Sequence, residues 1–319
     1  MENKKYIIYG AGKQGQAYLD FLKQKNLDSV IIGFCDKRYD VIKQILGKAV
    51  FSYEEAKEQD VQFIVAVGDE KAKNEIIQMF EADDVRYCSM DAYANAAGID
   101  RVKFNREFCA VFHIDNMDEY FNSAESDSAI KLFWDNTSEF KKLFVKLDLK
   151  NVIELACGRG RHVQQYLCNA GRITLVDILS KNIEFCNERF KGQGNITYYQ
   201  NNGYNLKDLE SSIYTSLFAY DAMVHFEMMD IYEYLKDIYR VLISGGRVLL
   251  HHSNHDVDYR AAFHNTPHGR SFMSKSIFAY LAYRAGFEVL EQKVIDWEGY
   301  TGLDCITLLQ KPIESESAR

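Results

Sequence analysis

Short apolar runs separated by helix-length amphipathic stretches recur along most of the chain. The first run is Tyr6–Tyr9, followed by a helical pattern over Ala17–Lys25, a run over Val30–Phe34, another over Phe63–Val67 and a helix over Lys71–Phe80. Val85–Ser89 closes this set. Strands that alternate with helices are joined by crossovers, which makes them parallel and the class α/β. The rhythm stops at an irregular polar stretch, Asn122–Asp127, which reads as a linker, with a helical pattern over Ser128–Lys146 behind it. It restarts at Asn151–Leu155 and continues through Ile173–Val176, Ile196–Tyr199, Ser216–Tyr220 and Gly246–His251, with an amphipathic helix at Ile231–Leu242. The last two runs, Phe287–Trp297 and Leu303–Gln310, are separated only by a short turn around Gly299. No crossover helix fits there, so this pair is antiparallel.

The pattern predicts two α/β domains, the second a mainly parallel sheet with an antiparallel last strand. Residues 1–98 form the first domain, 99–145 a linker and helical segment, 146–312 the second domain and 313–319 a disordered tail. A hydrophobic content of 47% in 319 residues supports two ordinary globular cores. The formal net charge of -8 argues against a nucleic-acid partner, because phosphate binding draws on clustered Lys and Arg. A small or polar substrate fits better, and homo-oligomerisation stays open. No apolar run reaches the ~18 residues of a membrane span, and no cleavage site follows the N-terminus, so a cytoplasmic location is expected. The seven cysteines are scattered without a C-x-x-C pair and read as reduced, mostly buried side chains.

Each set of runs opens with a strand and a glycine turn, and the two turns differ. The first, Gly10-Ala11-Gly12-Lys13-Gln14-Gly15, is a G-x-G-x-x-G that enters a helix, and Asp36 ends the next strand. Glycines there allow a tight turn, close helix packing and approach of a ligand phosphate. This segment resembles the small Rossmann-like domains attached to sugar-modifying enzymes. The resemblance implies either a nucleotide or nucleotide-sugar site at Gly10, Gly12, Gly15 and Asp36 or a purely structural or oligomerising role. Only one mononucleotide-binding half is present, which argues against NAD as a redox cofactor.

The second turn, Glu154-Leu155-Ala156-Cys157-Gly158-Arg159-Gly160-Arg161-His162, has Val163 where a dinucleotide turn carries its third glycine. It resembles motif I of the class I, Rossmann-like S-adenosylmethionine-dependent methyltransferases. Asp177 ends the next strand, Asn201-Asn202-Gly203 the third and Tyr220-Asp221-Ala222 the fourth, and Leu242–Leu250 is similar to the family's L-x-x-G-G strand. The resemblance implies S-adenosylmethionine as cofactor, contacted by Glu154, Ala156, Cys157, Gly158, Gly160, His162, Asp177, Ile178, Asn201, Asn202, Gly203, Tyr220, Asp221 and Ala222. Asp177 would accept the ribose hydroxyls, since a carboxylate is acceptor-only.

An alcohol acceptor must lose a proton as it takes the methyl, so a base belongs at the carboxyl ends of strands four and five. His225 and the cluster His251-His252-Ser253-Asn254-His255 fall there. His225 or His252 is the expected catalytic base, and His225, His251, Asn254, Arg260, His268 and Arg270 the expected acceptor contacts, on a polar loop that also holds Asp256, Asp258, Tyr259, His264 and Asn265. The motifs D-A-M-V-H-F-E and N-T-P-H-G-R-S-F-M-S resemble a bacterial methyltransferase group linked to surface polysaccharides or secondary-metabolite sugars, which implies O-methylation of a sugar hydroxyl. Two rivals remain. One is a metal-assisted methyltransferase with Asp221, His225, His252 or Asp256 around Mg²⁺. The other is a non-catalytic assembly protein that only binds S-adenosylmethionine.

Overall fold

A computed structural model describes residues 4–110, 112, 118–260 and 266–313. The chain divides into two compact units, Met1–Asn116 and Met117–Arg319. His264 and Asn265 of the polar loop, and the expected tail from residue 314 on, lie outside the described residues.

Unit 1 contains a six-stranded sheet built from β1 (Lys5–Tyr9), β2 (Ile31–Cys35), β3 (Gln44–Ile45), β4 (Lys48–Phe51), β5 (Val61–Val65) and β6 (Tyr87–Ser89). Its order is β3-β4-β2-β1-β5-β6, parallel except for the β3–β4 pair. That small hairpin carries no apolar alternation of its own, which is why the hydrophobic pattern misses it. Helices α1 (Lys13–Gln24), α2 (Tyr53–Lys57), α3 (Glu70–Ala82), α4 (Met90–Ala96) and α5 (Arg101–Cys109) complete the unit. The start of the expected linker is therefore helical, and Phe104 and Phe108 of α5 are buried against Tyr18 and Phe21 of α1.

Unit 2 begins with three short helices, α6 (Asp118–Ala124), α7 (Asp127–Trp134) and α8 (Glu139–Phe144). The polar stretch Asn122–Asp127 is thus a helix junction and not a linker: Ser126 and Ser138 accept the first free backbone N–H groups of α7 and α8, and capping chemistry looks like loop chemistry in a sequence. The long helix expected over Ser128–Lys146 is broken for the same reason at Asp135–Ser138. The sheet follows, with β7 (Asn151–Leu155), β8 (Arg172–Asp177), β9 (Ile196–Gln200), β10 (Tyr214–Ala219), β11 (Leu242–Ser253), β12 (Glu288–Trp297) and β13 (Tyr300–Gln310). Its order is β12-β13-β11-β10-β7-β8-β9. Strands β7 to β11 are mutually parallel and β13 runs antiparallel to both β11 and β12. Helices α9 (Val163–Tyr166), α10 (Ser180–Arg189), α11 (Met228–Val241) and α12 (Lys275–Arg284) connect the strands. Strand β10 is buried at every position, so the carboxyl ends of β7 and β10 meet in the middle of the sheet. An α/β chain of two Rossmann-like sheets, the second ending antiparallel, is the class expected from the sequence.

Candidate active site

The turn after β7 is built on left-handed backbone. Ala156, Gly158 and Gly160 have φ of 56°, 54° and 74°, and a side chain on Gly160 would press within 2.6 Å of the Phe190 ring. The carboxylate of Asp177, at the end of β8, accepts the Gly158 N–H at 2.9 Å, the Leu179 N–H at 2.9 Å and the Asn182 amide at 3.0 Å. Asp177 thus braces the glycine turn from inside the fold, and burial outweighs these bonds to raise its pKa. Cys157 is buried in the turn, its N–H donated to Val176. Its neighbour Cys186 raises its thiol pKa first and burial second.

Glu154 lies on β7 one residue before the strand ends and is buried. Tyr166 donates to one carboxyl oxygen at 2.6 Å. The other oxygen, Oε1, is buried with no hydrogen-bond partner among the described residues, as is Oδ1 of Asn182. Burial pushes the Glu154 carboxyl up to about 8 against the opposing Tyr166 bond. A buried acceptor without a donor costs about 1–3 kcal/mol, so the site is better satisfied with a hydrogen-bonding or cationic ligand beside it.

His162 does not stand at the turn's open side. It is buried among Phe133, Trp134 and Phe140, Trp134 donates its indole N–H to Nδ1 at 3.0 Å, and burial holds its pKa well below the ordinary value. Ile178 is half-buried and its carbonyl accepts from Gln200. Asn201 donates to Tyr234 and accepts from Gly203, while Asn202 accepts from Tyr204 and Asn205. These amides close the loop after β9.

After β10 the chain turns through Tyr220, Asp221 and Ala222. Asp221 is also left-handed, φ 55°, a conformation that costs a non-glycine residue about 1–3 kcal/mol. Its N–H donates to His251 Nδ1 at 3.1 Å, and its carboxylate accepts from Arg161 at 2.9 Å and from the Tyr120 hydroxyl at 2.5 Å. Burial opposes ionisation there, but Arg161, His251 and Tyr120 outweigh it and hold the Asp221 pKa down. Tyr120 and Arg161 are site residues that sequence reasoning misses: Arg161 sits within the recognised motif, but its partner and Tyr120 are distant in sequence. Phe121, beside Tyr120, lies 2.9 Å from where a Gly158 side chain would begin.

His225 forms the end of a short 3-10 turn, Met223–His225. Its Nδ1 is 2.7 Å from the Gly269 carbonyl, so Nδ1 carries the proton and Nε2 the lone pair in the neutral ring. His252 is wholly buried, stacked at 3.7 Å on Phe278, with Nδ1 on the Ser253 carbonyl and Nε2 on Thr307. Burial drops its pKa to about 3. Both of its nitrogens are committed inside the sheet. His251 is equally buried, donating Nε2–H to Asp304, which Arg270 grips with two further bonds.

Of the other expected acceptor contacts, Asn254 ties β11 to Gly302, Leu303 and Lys275. Arg260 is exposed and pairs with Asp258. His268, at φ 48°, pairs with Glu298. No group of three or more His, Cys, Asp or Glu among the described residues is arranged to hold a metal ion. In unit 1, a side chain on Gly15 would strike the Gly10 carbonyl at 1.9 Å, so Gly15 serves helix packing, while one on Gly12 would meet nothing within 4 Å. Asp36 accepts from the Ala11 N–H and from Arg38, whose hydrogen bond is the main force lowering its carboxyl to about 2.

Residues 153–250 match the family described as Methyltransferase domain. That stretch, from β7 to β11 of unit 2, is a methyltransferase domain. Residues 5–80 match the family described as PglD N-terminal domain. No curated protein sequence matches the chain. Among solved structures, it is similar to an S-adenosylmethionine-dependent methyltransferase from Mesorhizobium loti at 13% identity and a TM-score of 0.45, covering 55% of this chain and 99% of that one. A methyltransferase from Aquifex aeolicus overlaps at 12% identity and 0.46, covering 60% and 97%. The [4+2]-cyclase SpnF overlaps at 12% and 0.45, covering 57% and 86%. The methyltransferase match falls on the sheet of unit 2, and Glu154 Oε1 beside its glycine turn, buried without a hydrogen-bond partner among the described residues, fits a ligand with an amino group.

Proposed function

We propose that the enzyme transfers the methyl group to a hydroxyl oxygen of a carbohydrate, with His225 as general base. The observation that carries this reading is the 2.7 Å bond from His225 Nδ1 to the Gly269 carbonyl, which selects the Nδ1–H tautomer of the neutral ring just past the carboxyl end of β10. S-adenosylmethionine, when bound, supplies an electrophilic methyl group. Glu154 would meet its amino group, Gly158 and Gly160 its amino-acid backbone, and Asp177 and Ile178 its ribose. Asn201, Asn202 and Gly203 would flank the adenine, with Ala156, Cys157 and the Tyr220–Ala222 turn lining the remainder. His225 Nε2 would take the hydroxyl proton as the methyl arrives, a contribution of about 10²–10⁴ in rate. We exclude His252 from these roles because both of its ring nitrogens serve the core, and His162 because its nitrogens already accept from Trp134 and Arg161.

A carbohydrate acceptor is supported by the resemblance of unit 1 to domains attached to sugar-modifying enzymes and by its match to the PglD N-terminal domain. Asp221 is already neutralised by Arg161, which disfavours the metal-assisted alternative. For unit 1 itself we favour a scaffold over an NAD site, since Gly15 of its turn serves helix packing and only one mononucleotide-binding half is present. Incubation with methyl-labelled cofactor and a panel of nucleotide sugars, followed by mass spectrometry, tests the substrate class. Label on a sugar oxygen is expected. Label found only on nitrogen or carboxylate acceptors overturns it.

A further inference from the structure

Asp304 lies on β13, a strand whose neighbours in sequence are apolar, and it is fully buried. Three N–H groups converge on its carboxylate: His251 Nε2 at 3.0 Å, Arg270 Nε at 2.9 Å and Arg270 Nη2 at 2.5 Å. These bonds lead to the active site by two paths. Through His251, whose Nδ1 accepts the Asp221 N–H, Asp304 holds Asp221 in its left-handed turn. Through Arg270, which also donates to the His268 carbonyl, it fixes the turn at residues 266–271. That turn presents the Gly269 carbonyl to His225 and is fastened beside it by Ser271 N–H to Val224 O at 2.8 Å.

A buried ion pair is a poor way to gain stability, because desolvating both charges offsets most of their attraction, whereas a packed apolar pair would serve as well. Its better-attested use is to specify one arrangement over its neighbours. We propose that Asp304 is a positioning residue that sets the tautomer and placement of His225 and the backbone of Asp221 from beneath the active site. This rests on the reading of His225 as the base. Asp304 is assigned no contact with acceptor or cofactor and acts only through Arg270 and His251, two expected acceptor contacts that the fold buries. Replacement by Asn would set an amide N–H against Arg270 or His251 donors, leave the Arg270 guanidinium buried without its anion, and release the turn that carries Gly269.

The test is ¹⁵N spectroscopy of the imidazoles in the full-length chain, with S-adenosylmethionine binding measured alongside to confirm a folded cofactor site. The wild type should show His225 as the Nδ1–H tautomer. Asp304→Asn should convert it to a mixture with the Nε2–H form while S-adenosylmethionine still binds, weakened through the Asp221 turn, whereas a protein that had lost its fold would bind none. Should Asp304→Asn fail to fold, Arg270→Lys severs only the His225 branch, because an ammonium cannot span both carboxylate oxygens and the His268 carbonyl. The same His225 change is then expected, with His251 unaltered. An unchanged His225 spectrum in either folded variant overturns the proposal. Failure of the base assignment would show instead in the kcat of His225→Asn, so the two can fail separately.

Discussion

Glu154 holds a carboxyl that burial has pushed to about 8. A folded-state pKa above the unfolded one means that the native protein binds the extra proton, so the stability it contributes is fully present below the ordinary carboxylate range and lost as pH rises through 8. Between those limits one proton changes stability by about 1.4 kcal/mol per pH unit. Glu154→Gln should therefore flatten the fall in stability of the cofactor-free protein between pH 6 and 8 by roughly that slope; equal slopes in denaturant titrations of the two proteins would refute it. His252 works in the opposite sense. Its pKa near 3 makes its contribution present above the free-imidazole range and lost on acidification, so His252→Gln should lessen acid sensitivity between about pH 6 and 4 while costing stability at neutral pH. The glycine turn and Asp177 are legible in the sequence because they are local and spaced by the strand-turn-helix geometry. The difference between His225 and His252 is not, since it depends on which ring meets Gly269 and which meets Phe278 and Thr307, residues 26 to 55 positions away.

Helix α6 is held to the methyltransferase sheet by side chains. Tyr120 reaches Asp221, Arg159 packs its guanidinium on Phe121 at 4.7 Å, and Glu125 accepts two bonds from Arg189 of α10. Arg189 also donates to the Arg159 carbonyl, so the same residue ties α6 to the glycine turn. Arg189→Ala should raise hydrogen exchange in α6 and leave β7 and β8 protected, because the strands are secured by their own ladder. Uniform exchange in both would contradict this attachment. At this scale the strands and long helices are readable from periodicity, whereas α6 is hidden by its polar composition. Asp304 is hidden too: a single acidic residue in an apolar run carries no sign of the Arg270 and His251 that neutralise it.

Each unit has its own hydrophobic clusters, those of unit 1 around Tyr18, Phe34 and Phe104 and around Phe63 and Phe80, those of unit 2 around Leu217 and Leu235 and around Phe140 and Phe218. Ligand that binds only the native form of one unit raises the stability of that unit by mass action, about 2.7 kcal/mol at a hundredfold excess over Kd. S-adenosylmethionine should thus shift the thermal transition of unit 2 and leave that of unit 1 in place; a shift of the unit 1 transition alone would place the cofactor in the wrong half. Two α/β units are plain in the sequence because each restarts the same rhythm. No helix among the described residues is long and apolar enough to cross a membrane.

The most direct test of the chemistry assigned to the cleft is kcat and cofactor affinity for His225→Asn beside His252→Asn, assayed with the acceptor that takes the label. His225→Asn should lower kcat by about 10²–10⁴ with cofactor affinity unchanged, because loss of a base acts on the chemical step alone. His252→Asn should cost stability and leave the kcat of the folded enzyme near wild type. Retention of wild-type kcat by His225→Asn, with activity that disappears on chelation and returns with Mg²⁺, would contradict the account.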